Sequence, residues 1–253
     1  MKKRILIAND DGFQAPGIRA LASMISDLGD VTICAPDGPR SGFSRAFSAA
    51  VPLRLKRQNN LNDVTVWSCS GTPVDCIKLA VDQLYEGKQP DLVLGGINHG
   101  DNSTVNSHYS GTMGVAIEGC LKGIPSIAFS LCDHNEQAPM AHLQPYVCHI
   151  VQQVLNHGLP KGVCLNVNFP TTPPFQGMRI CRMTQGQWVN EVVAARHPAG
   201  FPYYWLVGNY QNEEPEAADT DQWALSHGYV AVTPTRIDVT AYEAFSQLET
   251  LLL

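Results

Sequence analysis

The sequence has no apolar run near the ~20 residues that a membrane-spanning helix needs. The basic start Met1–Arg4 resembles the first part of a secretory signal. The apolar run that follows, Ile5–Ala8, is too short for a signal core and ends at Asn9. We therefore expect a cytoplasmic protein without a membrane segment.

Basic residues are also scarce. Lys and Arg number 17 against 23 Asp and Glu, and the net charge is −6. Binding to a nucleic acid duplex or to an anionic membrane needs a basic surface, so neither partner is expected. A small anionic substrate is still compatible with this charge, because a bound metal ion can reverse the local field.

The eight cysteines form no Cys-x-x-Cys pair. Most of them have apolar neighbours, which indicates small buried hydrophobic residues and not a disulfide framework or a zinc site.

Several catalytic motifs are absent as well. The sequence has no Gly-x-Gly-x-x-Gly, no P-loop, no His-Glu-x-x-His and no Gly-x-Ser-x-Gly. Asp-x-Asp occurs only at Asp219-x-Asp221, in the acidic stretch 213–221, which we expect to be a solvated loop. Dinucleotide, P-loop and aspartyl-phosphate chemistry are therefore not predicted.

What the chain does have is an alternation of short apolar runs with helical patterns. This alternation predicts a parallel sheet with helices on both faces. The predicted strands are Ile5–Ala8, Val31–Ala35, Val64–Cys69, Leu92–Gly95, Ser126–Ser130 and Val163–Val167. The predicted helices are Pro16–Leu28, Pro73–Leu84, Gly111–Leu121 and Pro139–Leu155.

The pattern changes near residue 170, where prolines cluster. Two strand-like segments, Gln187–Ala194 and Tyr203–Val207, predict a β-hairpin arm, followed by a strand at Tyr229–Val232 and a helix at Val239–Leu253. An isolated hairpin is marginally stable in water, so we expect this arm to pack on another subunit. The chain is interpreted as one domain over 1–253, with its core at about 1–170 and 225–238, the arm at about 185–212 and a terminal helix at about 239–253.

Two adjacent carboxylates, Asp10 and Asp11, follow the first predicted strand within Asn9-Asp10-Asp11-Gly12. All of these residue types favour turns, so one interpretation is a simple turn. The other is a site for a hard divalent cation, which prefers oxygen ligands, at the sheet edge where open α/β folds bind ligands.

Other polar loops follow strands or precede helices. Ser110-Gly111-Thr112 opens a predicted helix, where it could bind an anion or serve as an ordinary helix cap. Gly71-Thr72-Pro73 has the same two readings. Arg40 and Arg45 could pair with a phosphate or face solvent.

Taken together, these loops closely resemble the SurE (survival protein E) family, whose motifs occur in the same order along nearly the whole chain. The matching segments are Asn9–Gly12, Ala15–Gly17, Ala35–Asp37, Arg40–Gly42, Gly71–Cys76, Gly96–Asn102, Tyr109–Thr112 and Gly228–Pro234. The resemblance implies a Rossmann-like three-layer sandwich whose C-terminal hairpin arm and terminal helix serve oligomerisation. It also implies homodimers or tetramers that act as 5′- and 3′-nucleotidases.

The resemblance also implies the roles of individual residues. One divalent ion per subunit, Mg²⁺ or Mn²⁺, is expected on Asp10, Asp11, Ser41 and Asn98, with Asp10 and Asp11 catalytic. The phosphate of a nucleoside monophosphate is expected on Asn102, Ser110, Gly111 and Thr112. The chain departs from the usual pattern at Arg45, which could supply a cation to the phosphate or alter the choice of substrate, and in the segment 101–108.

Two other functions fit parts of this pattern. A nucleotide-binding regulator without turnover would use the same helix-start loop, but it leaves Asp10 and Asp11 without a role. A nucleotide-sugar enzyme fits the open α/β sheet but would need a longer chain or a second full domain.

Overall fold

The computed structural model describes residues 2–85 and 87–252 and is built around a mostly parallel sheet of nine strands. The strands are β1 (Arg4–Ala8), β2 (Asp30–Pro36), β3 (Leu55–Arg57), β4 (Thr65–Cys69), β5 (Leu92–His99), β6 (Ser126–Leu131), β7 (Val163–Phe169), β8 (Met178–Ile180), β9 (Gly186–Val189), β10 (Val192–Arg196), β11 (Pro202–Leu206), β12 (Asn209–Asn212) and β13 (Val230–Arg236). The helices are α1 (Pro16–Ile25), α2 (Pro73–Gln83), α3 (Gly111–Leu121), α4 (Gln144–His157), α5 (Asp221–Ser226) and α6 (Phe245–Leu252). Short 3₁₀ turns lie at Thr104–His108, Ala141–Leu143 and Tyr242–Ala244.

The strand order in the large sheet is β3-β4-β2-β1-β5-β6-β7-β13-β8. All neighbouring pairs are parallel except β3 with β4 and β13 with β7. The chain first runs outward from β1 through β2 and β4 and then returns to the other side of β1 with β5. The carboxyl ends of β1 and β5 therefore meet where the winding reverses, which is where open α/β sheets bind ligands.

Alternating side chains explain why this sheet is covered on both faces. In β1, Ile5 and Ile7 pack into one core with α1 and α4, whereas Leu6 and Ala8 pack into a second core with α2 and α3. Successive strand residues point to opposite faces, so an unbroken apolar run is buried only when both faces are covered. The α/β sandwich expected from the sequence is confirmed.

Helix α2 shows how one of the ambiguous polar motifs is used. The Thr72 hydroxyl accepts a hydrogen bond from the Asp75 backbone N–H at 3.2 Å, and the Asp75 carboxylate accepts one from the Thr72 N–H at 2.9 Å. This capping box satisfies two helix-start donors at once. Asp75 also accepts bonds from the Ser48 backbone N–H and hydroxyl, at 2.9 and 2.8 Å, and so holds the long loop after β2.

The C-terminal third differs in detail from the prediction. The hairpin is present but longer, since β10 pairs with β11 and, beyond an irregular segment, β9 pairs with β12. Strands β3 and β8 and helix α5 were not predicted, because each is short and only partly apolar. The terminal helix α6 begins at Phe245, later than expected, and the predictions at Met1, Glu86 and Leu253 lie outside the described residues.

The acidic stretch 213–221 is not a solvated loop throughout, and that prediction was wrong at Asp221. Asp221 is buried and accepts hydrogen bonds from the backbone N–H groups of Thr104 and Thr184 at 2.9 and 3.0 Å. It thereby joins the start of α5 to the 3₁₀ turn near the carboxyl end of β5. Glu214 and Asp219 remain at the surface, where both pair with Arg182.

The eight cysteines, all within the described ranges, are free, and six of them are buried. Within those same ranges, no helix has the length and apolar character required to cross a membrane.

Candidate active site

The turn after β1 is closed by the side chain of Asn9. Its amide oxygen accepts a hydrogen bond from the Gly12 N–H, and its amide nitrogen donates to the Gly12 carbonyl, both at 3.1 Å. The two residues enclosed by this turn are Asp10, which is buried, and Asp11, which is half-buried. The two interpretations of this segment, a turn and a cation site, are thus compatible, since the turn places both carboxylates at the cavity.

A second loop is joined to this turn through the backbone. The Arg40 N–H donates to the Asp10 carbonyl oxygen at 2.6 Å. This bond brings the loop that follows β2 against the carboxylate pair, and Ser41 lines the same cavity as Asp10 and Asp11.

The end of β5 contributes two amide side chains. The Asn98 side-chain nitrogen donates to the Gly100 carbonyl at 3.0 Å, so a cation would bind its amide oxygen. The Asn102 side chain donates to the Ser130 hydroxyl at 2.8 Å, and the Asn102 backbone N–H donates to the Asn168 side chain at 3.0 Å. Asn102 is therefore buried and held in place at the cavity wall.

The start of α3 packs directly on Asp10. The Thr112 hydroxyl donates to the Asp10 carboxylate at 2.6 Å, and the Ser110 hydroxyl accepts from the Met113 N–H at 3.0 Å. A Cβ at Gly111 would lie 2.6 Å from the Asp10 Cβ, so only glycine allows this close approach. Ser110 thus caps the helix, while Thr112 orients a carboxylate.

These four segments surround a cavity of about 360 Å³. Of the residues predicted from the sequence, Asp10, Asp11, Ser41, Asn98, Asn102 and Ser110 line it. Gly111 and Thr112 lie behind Asp10 instead of at the cavity surface. Arg45 is exposed and does not line the cavity, so the structure does not bring its guanidinium to the predicted phosphate position.

Both carboxylates lie where their charged form is disfavoured. Burial, and then the neighbouring charges of Asp10 and Glu136, raise the pKa of Asp11 from 3.8 to about 7. Burial also raises the pKa of Asp10, although the Thr112 hydrogen bond partly offsets it. The Asp11 Oδ2 atom is buried and has no hydrogen-bond partner among the described residues. Such a group costs free energy unless a cation or a proton joins it.

The donor chemistry fits a hard divalent cation. Two carboxylates, a hydroxyl and an amide oxygen form an all-oxygen set, which Mg²⁺ and Mn²⁺ prefer. Across residues 2–85 and 87–252, no group of three or more His, Cys, Asp or Glu side chains is arranged to hold a metal ion, as a typical zinc site would need. The unpartnered Asp11 oxygen is the atom that a cation would satisfy.

Sequence reasoning did not predict several residues of the cavity wall. His134 reaches it from the loop after β6, Asp101 lies beside Asn102, and Trp188 reaches it from the hairpin. Burial raises the pKa of Asp101 and lowers that of His99, which also lines the cavity. The hairpin had been interpreted only as an oligomerisation arm, and no local signal indicated that its Trp188 meets the site.

The chain is similar to known proteins of one family. A family model described as Survival protein SurE matches residues 5–190. The chain is 54% identical to a protein of Phocaeicola vulgatus named 5′-nucleotidase SurE, over 98% of this chain and 96% of that protein. It is 48% identical to a protein of the same name from Bacteroides thetaiotaomicron, over 98% and 95%. The crystal structure of a SurE protein from Aquifex aeolicus superimposes with a TM-score of 0.82 at 35% identity, covering 98% of this chain and 99% of that one.

Proposed function

The chain belongs to the SurE family, and from that premise we propose that it is a 5′-nucleotidase that uses one bound divalent metal ion to hydrolyse nucleoside monophosphates. Two relatives that this chain matches over nearly their whole length are named 5′-nucleotidase SurE. Activity on 3′-monophosphates is part of the proposal, as is the choice between Mg²⁺ and Mn²⁺. The observation that supports the metal requirement is the buried Asp11 Oδ2 atom beside Asp10, which has no hydrogen-bond partner within residues 2–85 and 87–252.

The metal ion would be held by Asp10, Asp11, Ser41 and Asn98, all of which line one cavity. When bound, the ion supplies a Lewis acid for a phosphoryl oxygen and lowers the pKa of a water molecule. The chain's own part is to place these oxygens and keep them in position. The Thr112 hydroxyl holds the Asp10 carboxylate, and the Arg40 N–H holds the Asp10 backbone.

The phosphate would lie between Asn102 and the start of α3. Ser110 lines the cavity there, and the first N–H groups of a helix carry partial positive charge that favours an anion. Stabilising charge on the phosphoryl oxygens is most of what phosphoryl transfer requires of a protein. Water then attacks phosphorus, and the nucleoside and inorganic phosphate are released. Thr112 acts here through Asp10, and Arg45 is left without a role.

The Asp10→Asn variant tests this proposal. We expect hydrolysis of AMP in Mn²⁺ to fall by at least about a hundredfold, because even supporting residues of a metal site cost ten- to a hundredfold when removed. The matched control is Asp63→Asn, at an exposed aspartate that does not line the cavity. Wild-type turnover in Asp10→Asn would refute the proposal, and a wild-type protein that binds AMP without releasing phosphate would indicate a regulator. Parallel assays with 5′-AMP and 3′-AMP measure whether the enzyme prefers 5′- or 3′-monophosphates.

We also propose that the chain forms a homo-oligomer. The hairpin exposes apolar side chains at Val192, Phe201 and Tyr204, and helix α6 exposes Leu248 and Leu251. Exposed apolar side chains that cluster on one element often mark an association site. Light scattering on the active protein tests this, and an active monomer at dilute concentration would refute it.

A further inference from the structure

A second cavity, of about 540 Å³, adjoins the carboxylate cavity. The two share three lining residues, Asn106, Tyr109 and Trp188. We propose that this second cavity is a nucleobase subsite, in which Trp188 and Tyr109 stack against the base of the substrate. This inference rests on the nucleotidase function proposed above and extends it to substrate recognition.

Trp188 is held in place before any ligand binds. Its indole N–H donates to the Asn106 amide oxygen at 2.9 Å, and its ring meets Tyr210 edge-on at a centroid distance of 6.3 Å. Gly208 has a φ of +139°, and a Cβ there would lie 3.1 Å from the Trp188 ring. A side chain already fixed in this way loses little conformational entropy when a flat ligand stacks on it.

Tyr109 supplies the second aromatic surface. It immediately precedes Ser110, which lines the carboxylate cavity, yet its own side chain is 61% exposed. Its backbone N–H donates to the Asn106 carbonyl at 3.0 Å, so Asn106 ties both aromatic residues to the same 3₁₀ turn. Stacking of a base on an aromatic ring stabilises the bound nucleotide and tolerates every base, because every base has a π-face.

The charge of the second cavity favours a base over a chain of further phosphates. Among the described residues that line it there is one carboxylate, Glu191, and no lysine or arginine. The remaining lining residues are Leu206, Val207 and Gly208. Because a second or third phosphate would need cationic partners, this lining favours an uncharged group beyond the phosphomonoester. The volume also falls within the usual range of small-molecule sites.

The experiment compares AMP with ribose 5-phosphate, which carries the same phosphoribosyl group without a base. In Trp188→Ala we expect kcat/KM for AMP to fall about tenfold, mainly through KM, because the variant loses the ring on which the base stacks. The value for ribose 5-phosphate should stay within about twofold, since it has no base to stack. Trp188→Phe should retain most of the AMP activity. Trp205→Ala, which removes a hairpin tryptophan that lines neither cavity, should leave the ratio of the two substrates unchanged.

Adenosine provides a readout that does not depend on hydrolysis. It lacks the phosphate, so its binding, measured by ligand-observed NMR, reports the base subsite alone, and we expect about tenfold weaker binding to Trp188→Ala. An equal loss for AMP and ribose 5-phosphate, or unchanged AMP kinetics with unchanged adenosine binding, would overturn the subsite. A wild-type protein that binds adenosine but hydrolyses neither phosphate ester would instead refute the proposed function.

Discussion

Replacing Asp11 by Asn should stabilise the metal-free protein at neutral pH, although it removes a residue proposed to be catalytic. Asp11 lies in a partly buried turn beside Asp10, where its charged form is disfavoured, and its Oδ2 atom has no hydrogen-bond partner among the described residues. Burial and the neighbouring charges raise its pKa from 3.8 to about 7 in the folded chain. The folded state therefore retains a proton that the unfolded chain has already released, so the stability of the folded state falls as pH rises through this interval.

The magnitude follows from the same values. The difference between 3.8 and about 7 corresponds to about 4 kcal/mol at about 1.36 kcal/mol per pH unit. Because the turn is partly solvated, we expect Asp11→Asn to recover about 2 kcal/mol at pH 8, or about 4–8 °C in Tm for a chain of this size. The gain should be largest above pH 7 and should vanish below pH 4, where the wild-type carboxyl is protonated in both states.

Thermal unfolding in EDTA between pH 3.5 and 8.5, followed by circular dichroism, measures this effect. Asp63→Asn serves as the control, because Asp63 is exposed and should change Tm by less than about 1 °C. Saturating Mn²⁺ should reverse the order, since a ligand at a hundred times its Kd stabilises the wild type by about 2.7 kcal/mol and the variant by less. A metal-free Asp11→Asn protein that is less stable than wild type at pH 8 would show that Asp11 stabilises the fold, and would refute the cation-site reasoning.

Three further substitutions test the supports of the site. Thr112→Val removes the hydroxyl bound to Asp10 and should lower Mn²⁺ affinity about tenfold by titration, whereas Thr112→Ser should restore it; equal affinities would show that the bond does not orient the carboxylate. Gly111→Ala should reduce activity and Tm because its Cβ would meet Asp10, whereas Gly38→Ala, where the nearest atom is 3.6 Å away, should not; a fully active Gly111→Ala would refute the close packing. Asp221→Ala should lower the free energy of unfolding by about 2–4 kcal/mol in urea melts, because it leaves buried N–H donors unpaired, and a loss below 0.5 kcal/mol would place that network outside the folded core.

The strand ends show how much of the sheet and of the site local sequence patterns predict. The apolar runs predicted seven of the nine strands of the sheet, namely β1, β2, β4, β5, β6, β7 and β13, and the polar loops after β1, β2 and β5 indicated oxygen ligands. Strand β5 continues to His99, beyond its predicted end at Gly95, because Asn98 and His99 pair with β6 after an irregular step. Polar residues within a strand weaken its pattern, so a functional strand end is difficult to predict from hydrophobicity alone.

Asp221 and Arg45 show that the burial of a single charged residue is difficult to predict from the sequence. Both are charged and lie in polar stretches, yet Asp221 is buried at the junction of three segments and Arg45 is exposed. Composition predicts that charged residues are solvated on average, and it cannot identify the one that is enclosed by backbone donors.

The sequence by itself determined that strands and helices alternate, that the sheet is covered on both faces, and that carboxylates follow a buried strand. These are local properties, since they depend on periods of two and 3.6 residues and on short loops. Only the tertiary structure decided that Thr112 holds Asp10 from 102 positions away and that Trp188 reaches Asn106 across 82 positions. Such contacts depend on the order in which distant strands pack, and that order brings the carboxyl ends of β1 and β5 together with the hairpin.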